Sequence, residues 1–246
     1  MPKPIKTAPY VRPTSVEEIG RNHRVGGAWG NLRAAVFGVN DGLVSNASLI
    51  MGFAGASNAH DVLVLSGVAG MLAGAFSMAA GEYVSVRSQR DLYERAIEEE
   101  KRELAEHPDE EVDELAMIYE SRGVPGDDAR RMSQAILADK ERGLSTMVRE
   151  ELGINPKDLG SPLQAALASF VAFCGGAFIP VLPLLVGLGR WELPASATLA
   201  GVALFGVGAT VAKLSRRPAV WGGLRMLAIG ALAGSVTHAV GRLFGL

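Results

Sequence analysis

The residues best placed to do chemistry are acids in unusual surroundings. Asp41 lies about ten residues into a run of apolar and small side chains, within the step Asn40-Asp41-Gly42. A carboxylate inside a membrane-spanning helix costs roughly 2.5–3.5 kcal/mol on insertion scales, and that tripeptide is disfavoured in a helix interior. Either Asp41 makes a structural hydrogen bond or ion pair within a bundle, or it serves a travelling cation or proton. Met71, Met78 and Glu82 follow at separations of seven and four, which places all three on one helical face. A thioether beside carboxylates suits a first-row metal such as Fe²⁺ better than Mg²⁺ or Ca²⁺. Methionine alone more often fills packing gaps or faces lipid, and Glu82 can instead snorkel toward polar surroundings.

A third set lies further along. Glu100 and Glu103 are three apart, as are Glu111 and Glu114, while Met147 and Glu151 are four apart, so each pair shares a helix face. Brought together by packing, they would form a carboxylate cluster with one thioether, unfavourable unless cations neutralise it. The alternative is an ordinary solvated face of acid-rich helices. A di-iron oxidase would want Glu-x-x-His pairs, but Glu103 is followed three residues on by Glu106, and His107 comes one residue late. There is no Gly-rich phosphate loop, no Cys-x-x-Cys and no convincing Ser-His-Asp arrangement. No enzyme activity and no permanently bound cofactor are expected. Cys174 is the single cysteine, so an intrachain disulfide is impossible and a small buried hydrophobe is the expected role. The run Glu98-Glu99-Glu100 within a negative stretch argues against nucleic acid as a partner.

The elements that must position these residues follow from an uneven charge distribution. The formal net charge of -2 hides 20 acids against 11 bases between Arg90 and Asp158, and six bases against two acids in the first 33 residues. Five segments are long enough to cross a hydrocarbon core of about 30 Å: about Leu32–Ala59, Val62–Val86, Leu163–Leu188, Leu193–Ala212 and Val220–Val240. The expected fold is an all-α membrane protein with five transmembrane helices and a three-helix acidic insert between helices 2 and 3. Its expected divisions are a basic tail over 1–30, spans 1 and 2 over 31–87, the insert over 88–160, and spans 3 to 5 over 161–246. Lys3, Lys6, Arg12, Arg21 and Arg24 fall on the same side as Lys213, Arg216 and Arg217. The excess of basic residues on cytoplasmic loops then puts the tail and insert in the cytosol and the C-terminus outside. The first 30 residues lack the apolar core of a cleaved signal peptide.

Insert helices are expected from Ser88 to His107, from an Asp109 cap to about Arg122, and from an Asp127 or Asp128 cap to about Leu152. Apolar positions there are few, so this bundle is expected to lean on a partner surface, another copy being one candidate.

Two runs carry a family resemblance. Val36-Phe37-Gly38-Val39-Asn40-Asp41-Gly42-Leu43-Val44-Ser45 resembles the first-helix signature of the vacuolar iron transporter family, and Ser77-Met78-Ala79-Ala80-Gly81-Glu82-Tyr83-Val84-Ser85-Val86 resembles the end of its second helix. The resemblance extends over nearly the whole chain. It implies a homodimer that exports Fe²⁺, and often Mn²⁺, from the cytosol in exchange for protons, with Zn²⁺ as a surrogate metal. It implies a pathway at the dimer interface through Asp41 and Met78, with Glu82 at the family's Gly-Glu step. It also implies metal binding by Glu100, Glu103, Glu111, Glu114, Met147 and Glu151. Departures are Val148, where plant relatives carry a second consecutive methionine, and Gly30 and Ala34 at positions acidic in those relatives.

The expected function is transport of a divalent metal across a lipid bilayer, with a bacterial-type plasma membrane as the expected location. The alternative is a membrane-tethered metal sensor or store, for which Asp41 would have no use. A third option, an intramembrane enzyme using Asp41 and Glu82 as an acid pair, lacks a second intramembrane aspartate.

Overall fold

The structure, a computed structural model, describes residues 27–156 and 159–245, with side chains from residue 36 onward. The basic-tail expectation lies outside the described residues up to residue 26. The helices in chain order are α1 (Gly27–Ala56), α2 (His60–Glu106), α3 (Pro108–Ser121), α4 (Gly126–Leu137), α5 (Lys140–Glu150), α6 (Pro162–Val186), α7 (Glu192–Leu214) and α8 (Ala219–Phe244). A 3₁₀ turn, Gly189–Trp191, precedes α7. The described residues contain no strand.

Two compact units emerge, one holding Ser88–Leu159 and the other Gly27–Arg87 with Gly160–Leu246. The sequence predicts a separate insert helix from Ser88. Instead α2 continues through that point for 47 residues without a break, because no Gly or Pro interrupts the chain between Glu82 and His107. Among the described residues, four helical segments are long and apolar enough to cross a membrane: α2, α6, Gly189–Leu214 and α8. The expected fifth, α1, spans 30 residues but is not among them. Asn40, Asp41 and Asn46 interrupt its apolar run.

In the span unit, α6 has clear local reasons for its ends. Ser161 caps it by accepting from the Gln164 N–H at 3.5 Å, Pro162 occupies the first turn, and Gly187 ends it at φ 73. That left-handed conformation is one that glycine adopts without steric cost. α1 packs closely on α6 through small residues. A side chain at Gly42 would run into the Phe173 carbonyl oxygen, and one at Gly176 into that of Val39. Such close approach is how helices associate where lipid supplies no hydrophobic drive. Buried clusters of Ile50, Ala54, Leu63, Val181 and Leu184, and of Ala75, Phe173 and Ala177, fill the contacts. Polar ties add to them: Asn46 Nδ2 donates to the Ala177 carbonyl at 2.9 Å, Thr237 Oγ1 to that of Ser48 at 2.6 Å, and Ser196 Oγ to that of Pro180 at 2.6 Å.

In the insert unit, the second expected helix is α3, but Asp109 does not cap it. His107 holds the cap position without a side-chain bond, and Pro108 starts the helix. The third expected helix is two. Asp139 accepts from the N–H groups of Glu141 and Arg142 at 3.1 and 2.9 Å, so it starts α5 afresh rather than continuing α4. An aspartate at such a point satisfies donors that a helix start would leave unpaired. The unit also has a core of its own, Leu115, Ile118, Ala129, Met147, Val148 and Ile154, each at most 4% exposed. It does not have to borrow a partner surface to bury these residues, although Leu92 stays 64% exposed.

Substituting Gly176→Val should overpack the α1–α6 crossing and cost about 1–3 kcal/mol, read as a lower thermal unfolding midpoint in detergent. Gly175→Ala, whose added carbon meets nothing within 4 Å, should leave the midpoint in place.

Candidate metal site

The insert unit gathers acids from three stretches of chain. The last two turns of α2 carry Glu100 and Glu103, α3 carries Glu111 and Glu114, and Glu151 follows the end of α5. An ion pair between Arg122 Nη2, just past α3, and Glu150 Oε2 at 2.5 Å ties α5 back to α3. A second, Arg130 Nη1 to Asp113 Oδ1 at 2.7 Å, joins α4 to α3. Both are partly exposed and worth little singly, but they fix which faces meet.

One carboxylate oxygen each from Glu100, Glu111 and Glu151 lies within 4.8 Å of the other two. Glu100 is 2% and Glu111 4% exposed. Glu100 Oε1, Glu111 Oε2 and Glu151 Oε2 are buried without a hydrogen-bond partner. Buried polar atoms are nearly always paired, so one orphaned buried oxygen on each member of the triad is an anomaly. Two oxygens on opposite sides of a divalent ion, at about 2.1 Å per bond, stand about 4.2 Å apart. The observed spread therefore needs only slight contraction to grip one ion.

Glu103 and Glu114 act electrostatically on this triad. Glu114 is 5% exposed and Met147 wholly buried. Met147 lies one turn before Glu151, which places a soft thioether on the same face. The electrostatics follow from burial. Desolvation first, then the charge of Glu114, pushes Glu111 up to about 8. Desolvation raises Glu100 and Glu151 as well, and the two share a hydrogen bond. Glu103 is raised by the same cause and by Glu114. Without a cation the cluster holds protons near neutral pH.

The span residues are placed differently. Asp41 is exposed on α1, and Ser45 Oγ donates to its backbone carbonyl and lies 3.4 Å from its Oδ1. It shares an outward stripe with Phe37, Leu49 and Phe53, which are 59%, 36% and 42% exposed. Met71 and Met78 pack against the Ala75–Phe173–Ala177 cluster. Glu82 is half-buried one turn beyond Met78. Among the described residues neither Asp41 nor Glu82 belongs to a group of three potential ligands.

The sequence reading passed over one pair. His60 Nδ1 lies 3.1 and 3.0 Å from the two carboxylate oxygens of Glu192, whose Oε1 also accepts from the Gly189 N–H at 3.0 Å. The pair joins the starts of α2 and α7. At 132 residues apart, the two leave no local signal.

The VIT family matches residues 32–242, which takes in both units. The chain belongs to the VIT family. Members of the VIT family are transporters, not enzymes. One relative, a vacuolar iron transporter from Acanthamoeba castellanii, is 36% identical over 88% of this chain and 80% of its own length. Vacuolar iron transporter homolog 1 from Oryza sativa subsp. japonica is 35% identical over 92% of this chain and 78% of its own. Vacuolar iron transporter homolog 2 from Arabidopsis thaliana is 35% identical over 87% and 85%. With helices apolar enough to span a bilayer, the VIT family chain is an integral membrane protein.

The raised carboxyls set a pH dependence. The folded metal-free insert binds more protons than the unfolded chain between the ordinary glutamate value of 4.5 and the Glu111 value of about 8. Stability should therefore be fullest below 4.5 and fall as pH rises through about 8. Thermal unfolding followed by circular dichroism in chelator, from pH 5 to pH 9, should show that decline. Glu111→Gln should flatten it.

Proposed function

We propose that the chain exports ferrous iron from the cytosol across its membrane in exchange for protons, with Mn²⁺ as a second cargo. The observation that carries the reading is the clustered carboxylate triad of Glu100, Glu111 and Glu151, each with one buried oxygen left unpartnered. The names of the relatives, vacuolar iron transporters, point to the cargo. In this reading α1 is a fifth span, interrupted by polar residues because they serve the pathway.

The insert loads the ion from the cytosol. Glu100, Glu111 and Glu151 hold it, Glu103 and Glu114 add charge around it, and Met147 supplies a soft donor that favours Fe²⁺ over Mg²⁺. Loading displaces the protons that desolvation had kept on the cluster, so one divalent ion exchanges for protons at constant charge. The ion then passes to Asp41 and Met78 in the span unit, with Glu82 on the way. An exposed carboxylate on an apolar stripe needs a partner in the bilayer. A second copy of the chain, facing the stripe with its own Asp41, supplies one and makes a two-carboxylate site. Protons from the far side then release the metal. Each pH unit of gradient supplies roughly 1.4 kcal/mol per proton.

A membrane-tethered store or sensor is the competing reading, supported by the location of the whole triad within one unit. Asp41 separates the two. In proteoliposomes under an imposed pH gradient, Asp41→Ala should abolish Fe²⁺ flux while metal binding persists. Undiminished flux would reject the pathway, and binding without flux in the unaltered chain would favour the store. Glu111→Gln with Glu151→Gln should weaken metal binding by about tenfold or more, roughly 1.4 kcal/mol, in calorimetric titration of the full-length protein. Raising the pH from 6 to 8 should strengthen binding in the unaltered protein and less so in the double variant.

A further inference from the structure

On the span unit, α1, α7 and α8 border an open crevice made of two adjoining pockets of about 500 and 480 Å³. Val36, Val207, Val211 and Leu214 line both. From Ala203 to Leu214 the crevice follows α7 for 11 residues, about 16 Å at 1.5 Å each. Its walls are aliphatic, but one end is not. Ser215 and Arg225 line that end, Lys213 lies in the last turn of α7, and Arg216 and Arg217 stand in the adjoining α7–α8 turn. Among the described residues none of these four cations lies within 4.0 Å of a carboxylate. Every described ion pair of this chain lies elsewhere. An open apolar groove with positive charge at one end is complementary to an amphiphile with an anionic head.

We propose that this crevice binds one anionic phospholipid, with an acyl chain along Val36, Val207 and Val211 and the phosphate held by Arg225 and Ser215. A guanidinium meets a phosphate through two parallel charge-assisted hydrogen bonds, and basic pockets between spanning helices are suited to anionic headgroups. Asn40 also lines the crevice, and its Oδ1 is buried without a partner. That oxygen can accept a hydrogen bond from a headgroup hydroxyl. Because Asn40 precedes Asp41, the lipid contacts the turn of α1 that presents Asp41. Its consequence for flux rests on the transport reading above, whereas the binding itself does not.

The test is lipid retention by the purified, delipidated full-length protein, read by native mass spectrometry. Phosphatidylglycerol and phosphatidylcholine with identical acyl chains are offered separately, and inorganic phosphate in a third arm. The unaltered protein should retain phosphatidylglycerol about fivefold better than phosphatidylcholine, the worth of one basic residue at a membrane surface. Arg225→Gln should lose that preference, while Arg242→Gln, at the opposite end of α8, should keep it. Val207→Phe should reduce retention of both lipids by filling the slot. Equal phosphatidylglycerol retention by the unaltered protein and Arg225→Gln overturns the proposal. So does retention of phosphate alone, which would make the site one for a free anion. A shift in oligomeric state by Val207→Phe with lipid retention unchanged would assign the crevice to a second copy and overturn it equally. The Arg225→Gln arm decides even if Val207→Phe fails to fold, and no arm measures flux.

Discussion

Carboxylates withdrawn from water beside one another are the constraint on which this molecule turns. Glu100, Glu111 and Glu151 bring three carboxylate oxygens within 4.8 Å of one another, and each residue keeps one buried oxygen without a partner. Three negative charges cannot share so small a desolvated space. The arrangement persists with protons on it or with a cation in it, and each state excludes the other. In the transport reading proposed above, that exclusion couples metal binding to proton release. It requires no moving part in the insert beyond the carboxyl groups themselves.

The surrounding architecture serves to impose that desolvation. Leu115, Ile118, Met147 and Val148 close the unit beneath the acids. The break at Asp139 lets α5 turn back so that Met147 and Glu151 come to the residues of α3. The Arg122–Glu150 pair holds the return. Had α4 run on as one helix, Glu151 would have been carried away from Glu111. A short polar side chain at a helix start therefore decides whether the site exists.

The span unit solves a different problem with different means. Its helices lack a hydrophobic drive to associate in lipid, and they meet through glycine contacts and buried hydrogen bonds such as Asn46 to Ala177. Its two ends differ chemically. Arg216 and Arg217 stand in the α7–α8 turn without an ion pair among the described residues, while the starts of α2 and α7 are joined by His60 and Glu192.

Much of this was legible in residue order alone. Helical character, apolar spans and the pairing of Glu100 with Glu103, Glu111 with Glu114 and Met147 with Glu151 follow from local periodicity, which needs only neighbours three, four and seven residues away. Family membership was legible for the same reason, since the Asp41 and Met78 motifs are short and contiguous. What the amino-acid order could not decide was which pairs meet. The continuity of α2 past Ser88, the new start at Asp139, the convergence of three oxygens and the His60–Glu192 tie all depend on contacts between distant segments. Burial and charge at those contacts are properties of the packed chain, and only the tertiary structure determines them.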